Sequence, residues 1–199
     1  MGKRVALHEA CADRDAVGHR LRSAAERLGT TELRVAASSV QYQLAERLWD
    51  ITLISWSLGV VLDCSRLRVG PGHESWDIAV SFDSAGEPTT AGLVSALGAL
   101  HDTIRSWTPV AEGLLWGNAA AAANWALARL DSGATRDRAV ALVDAALSEA
   151  PLRDRLVGDV GGDVVRRSCC LYYRSCFAEP CRDCPLAGSA VTRRAAAIS

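Results

Sequence analysis

Residues 33 to 51 read LRVAASSVQYQLAERLWDI, and this stretch decides the fold. Apolar side chains recur in it every three or four residues, which is the spacing that places them on one face of an α-helix. The same pattern continues toward Gly59. The sequence therefore predicts a long helix whose apolar face must be covered by other parts of the chain.

Segments with the same helical period lie on both sides of this stretch, and residues 60–83 interrupt them. They run over residues 17–28, 89–107, 114–130 and 139–147, and a glycine or proline follows shortly after each. Residues 60–69 are instead rich in β-branched and apolar residues, Gly70-Pro71-Gly72 is a turn signal, and apolar side chains alternate with smaller or polar ones over residues 76–82, which predicts a hairpin of two strands. We therefore expect an α+β fold that is mostly α-helical, with a small antiparallel β-hairpin and a cysteine-rich C-terminal segment.

The chain is expected to divide near residue 157. Its 199 residues suit one compact domain with a small appendage. Gly158, Gly161 and Gly162 loosen the chain just before the cysteines. Residues 1–157 would then form a helical domain with the hairpin near 60–83, and residues 158–199 a smaller module packed on it.

Composition excludes several classes of protein. The net charge of −1 gives no overall attraction to nucleic acid, and the apolar runs are too short to span a membrane. The N-terminus has no long apolar region of the kind found in signal peptides, so we expect a cytoplasmic protein. Seven cysteines cannot all pair within one chain, and five of them lie between residues 169 and 184. Clustered thiols in a reducing compartment favour metal or redox chemistry over disulfides.

Two adjacent cysteines, Cys169 and Cys170, are followed after ten residues by the C-x-x-C pair Cys181 and Cys184. Four thiolates can hold a [2Fe–2S] or [4Fe–4S] cluster or a tetrahedral zinc ion. In extended backbone, adjacent side chains point to opposite faces, so both can reach one centre only if the chain turns there. A binuclear cluster is a larger target than a single ion, which favours iron–sulfur over zinc.

The residues around these cysteines make the motif more specific. The segments Ser168–Arg174 (SCCLYYR) and Cys181–Leu186 (CRDCPL), with the C-C, ten residues, C-x-x-C spacing, resemble the C-terminal module of FhuF-type ferric-siderophore reductases. Three upstream stretches also resemble that family: Arg34–Ser38, Ala45–Trp49 and Leu115–Ala120. The resemblance therefore covers most of the chain, and the cysteine motif is its specific part.

The resemblance implies a [2Fe–2S] cluster ligated by Cys169, Cys170, Cys181 and Cys184, and one-electron reduction of ferric siderophores in the cytoplasm. Hydroxamate siderophores are the preferred class, the helical domain would bind them, and the protein is expected to be a monomer. No dinucleotide-binding motif follows a predicted strand, so we expect an external donor such as a ferredoxin or a flavoprotein.

Further residues are candidates for docking the substrate or the donor. Arg167, Arg174 and Arg182 crowd the cysteines, where positive charge would favour a reduced cluster or simply be solvated. Trp116 and Asn118, in a Trp-Gly-Asn sequence, would line a cleft. Cys176 is a fifth thiol, either a bystander or a competing ligand.

Two other kinds of function stay open at this point. The first is a protein without enzymatic activity that binds zinc or senses redox state through an iron–sulfur centre. The second is a siderophore-binding protein without reductase activity.

Overall fold

The computed structural model describes residues 4–60, 62–70, 76–80, 90–177 and 179–187. Most of these residues are helical, and the helices are α1 (Leu7–Ala12), α2 (Arg14–Arg27), α3 (Leu33–Ser57), α4 (Ala91–Trp107), α5 (Glu112–Ala128) and α6 (Ala134–Leu147). The strands in the described residues are β1 (Val5–Ala6), β2 (Arg68–Val69), β3 (Ile78–Ala79), β4 (Leu156–Gly158) and β5 (Val164–Arg166). They form two small antiparallel sheets, β1-β2-β3 and β4-β5. The predicted α+β class, mostly helical with a small antiparallel element, is confirmed.

The long predicted helix is α3, and it occupies the middle of the core. It packs along α5 more extensively than on any other element, and α2 and α4 cover further parts of it. The alanines at 119–123 on α5 are completely buried. Their small side chains let the two helix backbones lie close together in a densely packed interior. Core positions on α3 include Val40, Leu44, Leu48 and Trp49.

The hairpin predicted at residues 60–83 forms, but it is shorter and has a third strand. Strand β2 pairs with β3 as predicted, and the N-terminal strand β1 adds to the other edge of β2. A 3₁₀ turn at Cys64–Arg66 replaces part of the first predicted strand, and the Asp63 side chain accepts its capping hydrogen bond from the Ser65 N–H. Residues 61, 71–75 and 81–89, including most of the predicted turn and Phe82, lie outside the described residues.

The C-terminal module begins with the β4–β5 hairpin. The predicted division after residue 157 falls inside β4. Asn124 on α5 accepts a hydrogen bond of 2.7 Å from the Gly161 N–H and donates one of 3.1 Å to the Gly162 carbonyl. The turn of this hairpin is thereby attached to the helical core, and β5 leads directly to the cysteines.

The helices were compared with the requirements of a membrane span. Among the described residues, no helix is both long enough and apolar enough to cross a membrane.

Candidate metal and redox site

The cysteine segment lies on α3 and α5. Ser38 Oγ on α3 donates a hydrogen bond of 2.6 Å to the carbonyl of Cys170. Ser168 Oγ donates one of 3.0 Å to the carbonyl of Gly113 at the start of α5. These two bonds fix the main chain on both sides of the adjacent cysteines.

A left-handed residue makes the turn that adjacent cysteines require. Leu171 has φ 65° and ψ 1°, a conformation that costs a residue other than glycine about 1–3 kcal/mol. Its side chain packs against the core, which offsets that cost. The Leu171 N–H donates to Cys169 Sγ at 3.3 Å, and the Tyr172 N–H bonds to Cys170. Because the chain turns here, Cys169 and Cys170 contact each other through their thiols.

The structure brings three of the four predicted ligands into contact. Cys170 Sγ lies 2.8 Å from Cys181 Sγ, Cys169 contacts Cys170, and Cys184 is close enough to Cys169 for their charges to interact. All four are free thiols, and Cys170 and Cys184 are buried. Cys169, Cys170 and Cys181 therefore form a chain of contacting thiols in the order Cys169, Cys170, Cys181.

Contact between the thiols changes their pKa values in opposite directions. Hydrogen bonds from Cys169 and Cys181 lower the pKa of Cys170, and the nearby Arg166 guanidinium adds to that effect against the opposing effect of burial. Donating those bonds, together with burial, raises the pKa values of Cys169 and Cys181. Metal binding at such a site would release the remaining protons.

The chemistry of the donors fits a thiolate-bound centre. In the part of the chain that the structure describes, no three or more His, Cys, Asp or Glu side chains form a group that could hold a metal ion. Thiolates are the ligands of iron–sulfur clusters and of structural zinc. A [2Fe–2S] cluster takes four cysteines, and its binding by these four stays a prediction.

Cys176 contacts a different part of the chain from Cys169, Cys170 and Cys181. Its N–H donates a hydrogen bond of 2.9 Å to the carbonyl of Leu28, and its side chain packs on Gly29, where an added Cβ would lie 2.9 Å from the Cys176 Cβ. Gly29 also has φ +56°, so both the conformation and the close approach require glycine there. Cys176 is exposed and packs beside the end of α2.

A buried ion pair connects the two halves of the cysteine motif. Arg166 Nε and Nη2 donate to the two carboxylate oxygens of Asp183 at 2.6 and 2.8 Å. Both side chains are buried, 4% and 1% exposed. Burial opposes the charge of Arg166, but the hydrogen bonds and charge of Asp183 outweigh burial and raise its pKa. Asp183 lies between two predicted ligands and Arg166 just before the other two, so the pair sets their relative position.

Asn118 extends this network into the core. Its side-chain oxygen accepts a hydrogen bond from Arg166 Nη1, and its Nδ2 donates to Ser38 Oγ at 3.0 Å. Ser38 in turn holds the carbonyl of Cys170. Asn118 thus connects the ion pair to the main chain at the adjacent cysteines.

The prediction that Asn118 and Trp116 contact the substrate or the donor is wrong. Asn118 is 0% and Trp116 5% exposed, so neither side chain can dock a partner from solvent. Trp116 packs edge-on against His101, with 4.3 Å between ring centroids, and its Nε1 donates to Glu112. Both residues support the site from inside the fold.

The three predicted docking arginines remain at the surface. Arg174 pairs with Glu32 at 2.6 Å, which neutralises much of its charge. The Arg182 guanidinium lies 4.5 Å from the centroid of the Trp125 ring. Arg167 is also exposed. All three lie close to the thiols along the chain, and their docking role stays a prediction.

An open groove of about 380 Å³ adjoins the thiols. Cys170 and Cys181 form part of its wall. The rest is formed by aromatic, polar and charged side chains: Ser39, Tyr42, Gln43, Trp125, Arg166, Tyr172, Arg182 and Asp183. A larger groove of about 710 Å³ lies between the second half of α3 and β3, and none of its described lining residues is a cysteine. The smaller groove therefore gives access to the sulfurs of Cys170 and Cys181.

Three residues that build the site have no role in the sequence-based prediction: Ser38, Asp183 and, as a buried ion-pair partner, Arg166. Asn118 and Ser38 are polar residues within apolar helical stretches, which is the signal that could have indicated an internal network. Asp183 lies between the C-x-x-C cysteines, but its burial is visible only in the folded structure.

No protein-family model matches this chain, and no curated protein or solved structure matches it either.

Proposed function

We propose that this chain is a ferric-siderophore reductase of the FhuF type, which passes one electron to siderophore-bound Fe(III) and releases iron as Fe(II). The observation that carries the proposal is the contact among Cys169, Cys170 and Cys181, which with Cys184 form a motif that resembles that family. No match to a known protein supports the family, so the proposal rests on these residues and on the sequence around them.

The four cysteines would hold a [2Fe–2S] cluster, which supplies one-electron transfer when bound. The chain's own residues then have distinct tasks. Leu171 turns the backbone beside the adjacent thiols, which contact each other. The Arg166–Asp183 pair holds the C-x-x-C loop in register with them. The Arg166 charge lies close enough to Cys170 and Cys181 to act on them, and it would favour the more negative, reduced state.

The reaction needs little covalent chemistry from the protein. Hydroxamate siderophores, the preferred class, and catecholates bind Fe(III) through hard oxygen donors. One added electron lowers the charge on the iron and weakens that binding, while an external ferredoxin or flavoprotein loses one electron. The protein would work as a monomer in the cytoplasm. Its contribution is to bring the chelate close to the electron carrier.

The identity of the metal centre is tested first. Protein purified without oxygen is analysed for iron, acid-labile sulfide and zinc, and is examined by electron paramagnetic resonance after chemical reduction. We expect iron and sulfide in equal amounts and the signal of a reduced binuclear cluster. A colourless protein that contains zinc would overturn the proposal and favour a structural or sensing role.

The reaction is tested separately. Chemically reduced protein, freed of excess reductant, is mixed with a panel of ferric siderophores and a colorimetric ferrous chelator. One Fe(II) per cluster should appear, together with the visible spectrum of the oxidised protein. If the protein binds the siderophores but yields no Fe(II) with any of them, it is a siderophore-binding protein and not a reductase.

A further inference from the structure

The β4–β5 hairpin presents an apolar pair of side chains to solvent. Val157 and Val165 lie directly opposite each other in the two strands, and they are 50% and 46% exposed. Their neighbours Val164 and Arg166 are buried, because side chains alternate between the two faces of a strand. The outer face of the hairpin therefore has an apolar centre that a partner can cover.

A pair of arginines continues this outer face toward the cysteines. The Arg167 N–H donates a hydrogen bond of 2.9 Å to the carbonyl of Arg155, so the two residues lie opposite each other one position beyond the paired strands. Like charges in directly opposite positions of an antiparallel pair are destabilising. A local arrangement that costs stability is expected at a functional site.

Both arginines lie beside the first of the four cysteines. An added Cβ on Gly113 would lie 3.4 Å from Arg155 Nη1, and Ser168 donates a hydrogen bond to the carbonyl of the same glycine. Arg167 is exposed and precedes Cys169 by two residues, so their Cα atoms are at most about 7 Å apart. A partner that binds the two arginines is thereby brought next to the thiols.

The charges of these two arginines are not neutralised by carboxylates. Arg174 and Arg182, which also lie near the thiols in the sequence, are each paired with an acidic side chain. Among the residues that the structure describes, Arg155 and Arg167 form no ion pair. Arg155 Nε donates instead to the uncharged carbonyl of Pro151 at 3.0 Å. The two positive charges remain available to a partner.

The acidic side chains near this face are either paired or lie at its far end. Glu112 at the start of α5 lies 3.9 Å from Arg105 and accepts a hydrogen bond from Trp116 Nε1. Asp159 and Asp163 belong to the turn at the opposite end of the hairpin. The end of the face beside the cysteines is therefore positive, and the partner that it fits is negatively charged.

The size of the face favours a transient complex. Each strand has three residues, and strands with a rise of about 3.3 Å per residue that lie about 4.8 Å apart give a face of roughly 10 by 10 Å. A stable interface buries about 800 Å² on each partner, whereas electron-transfer encounters are at the small end of the range. Such a face suits a partner that leaves after each encounter, and it is too small for a permanent dimer.

We propose that this outer face, formed by Arg155, Val157, Val165 and Arg167, is the docking site of the external electron donor, and that the donor is a small acidic protein. This inference rests on the proposed function and names the surface through which the electron arrives. The donor loses one electron and this protein gains it, and no bond forms or breaks. Arg155 is a docking residue that the sequence did not indicate.

The test uses the full-length, cluster-loaded, oxidised protein and a reduced plant-type [2Fe–2S] ferredoxin, which is a small acidic electron carrier. Stopped-flow absorbance without oxygen measures the second-order rate constant of electron transfer. Arg167→Glu should lower this constant at least about tenfold, because it reverses a charge at the docking face. Arg167→Lys keeps the charge and should stay within about threefold of the wild type.

The matched control is Arg68→Glu, which makes the same change of net charge at an exposed arginine on β2, in the other sheet. It should stay within about twofold of the wild-type rate constant. If Arg167→Glu and Arg68→Glu slow the reaction equally, if neither slows it, or if the ferredoxin does not reduce the wild type, the inference is wrong.

A binding measurement does not depend on electron transfer. Titration calorimetry at low salt compares the affinity of the oxidised ferredoxin for the wild type and for the two glutamate variants. Arg167→Glu should weaken binding at least about fivefold and Arg68→Glu should not, and added salt should weaken wild-type binding because it screens exposed charges. Wild-type affinity in Arg167→Glu would overturn the inference.

The inference and the proposed function fail in different ways. If the ferredoxin docks on this face and reduces the protein, but reduced protein yields no Fe(II) from any ferric siderophore, the reductase proposal fails and the docking site stands. If chemically reduced protein yields Fe(II), but Arg167→Glu accepts electrons from the ferredoxin as fast as the wild type, the docking site is wrong and the reductase proposal stands.

Discussion

The α3–α5 core and the cysteine module are stabilised by different forces. In the core, whole helix faces are buried, and each fully buried leucine contributes about 1.5–3 kcal/mol. The module has short strands and a 3₁₀ turn at Tyr172–Arg174. It depends on one buried ion pair, a few polar bonds and the thiols. The core therefore supplies most of the apolar burial that stabilises the fold, and the module carries the residues on which the proposed function depends.

The two regions should also respond differently to damage. Removing apolar groups from the core leaves a cavity whose cost grows with its size. Removing one partner of a buried ion pair leaves a charge without compensation, which costs far more than the net value of the pair. Substitutions in the core should therefore change stability, whereas substitutions of the thiols should change metal binding.

The largest effect is expected at a ligand thiol. Cys181→Ser should lose nearly all bound iron, because Cys181 contacts Cys170 directly. Cys176→Ser should keep the iron content of the wild type, because Cys176 lies apart on Gly29. Iron and sulfide analysis measures both, and circular dichroism should show unchanged helix content. Equal losses from the two variants would mean that the assigned ligand set is wrong.

The next effect comes from the ion pair. Asp183→Ala should destabilise the protein by about 3–5 kcal/mol, because it leaves the Arg166 charge buried without its partner. Urea unfolding measures this change. The double variant Arg166→Met with Asp183→Leu, which removes both charges, should recover most of that stability. If the double variant is as unstable as the single one, apolar packing rather than charge compensation holds this loop.

A core leucine should affect stability without affecting the site. Leu48→Ala should cost about 2–5 kcal/mol, since Leu48 is 0% exposed on α3. Iron content per folded molecule should stay at the wild-type value. Leu58→Ala is the control, because Leu58 is 68% exposed and should change stability very little. Loss of iron in folded Leu48→Ala protein would show that the two regions are not independent.

The turn at Leu171 should give a smaller effect of about 1–2 kcal/mol. Leu171→Val places a β-branched side chain at φ 65°, which is strongly disfavoured, so stability and iron content should both fall. Leu171→Gly adopts this conformation freely and should keep its iron, although it loses packing against the core. Retention of iron by the valine variant would show that the left-handed turn is not required.

The smallest effect concerns pH and originates in the core. Burial, with a contribution from the Arg105 charge, lowers the pKa of His101 from 6.5 to about 3. The unfolded chain therefore binds one more proton between these values, and stability falls as pH drops below 6.5. Between pH 7.5 and 5.5 the loss should be about 1 kcal/mol.

Urea unfolding at several pH values measures this loss in the wild type and in two variants. His101→Leu should remove the slope, whereas His8→Leu, at an exposed position, should retain it. An unchanged slope in His101→Leu would assign the pH dependence to other groups.

The fold was largely predictable because periodicity reports burial directly. The stripe beginning at Leu33 indicated α3, and glycine and proline marked most helix ends. The cysteine motif was visible because its spacing is local, and its role as a metal site stays a prediction. The docking residues could not be predicted in this way. Asn118 and Trp116 lie in a Trp-Gly-Asn sequence that resembles the wall of a cleft, but both side chains are buried. A periodic pattern shows that a face is covered, and it does not show which polar residues lie inside with partners.

The sequence by itself determined the helical core, the short hairpin and the four thiols close together in the chain, because these depend on neighbours in the sequence. Only the tertiary structure decided that Arg166 and Asp183 form a buried pair, that Asn118 joins them to Ser38, and that a groove opens beside two of the sulfurs. These features depend on contacts between residues that are distant in sequence. Such contacts form only when the helices have packed and water has been excluded.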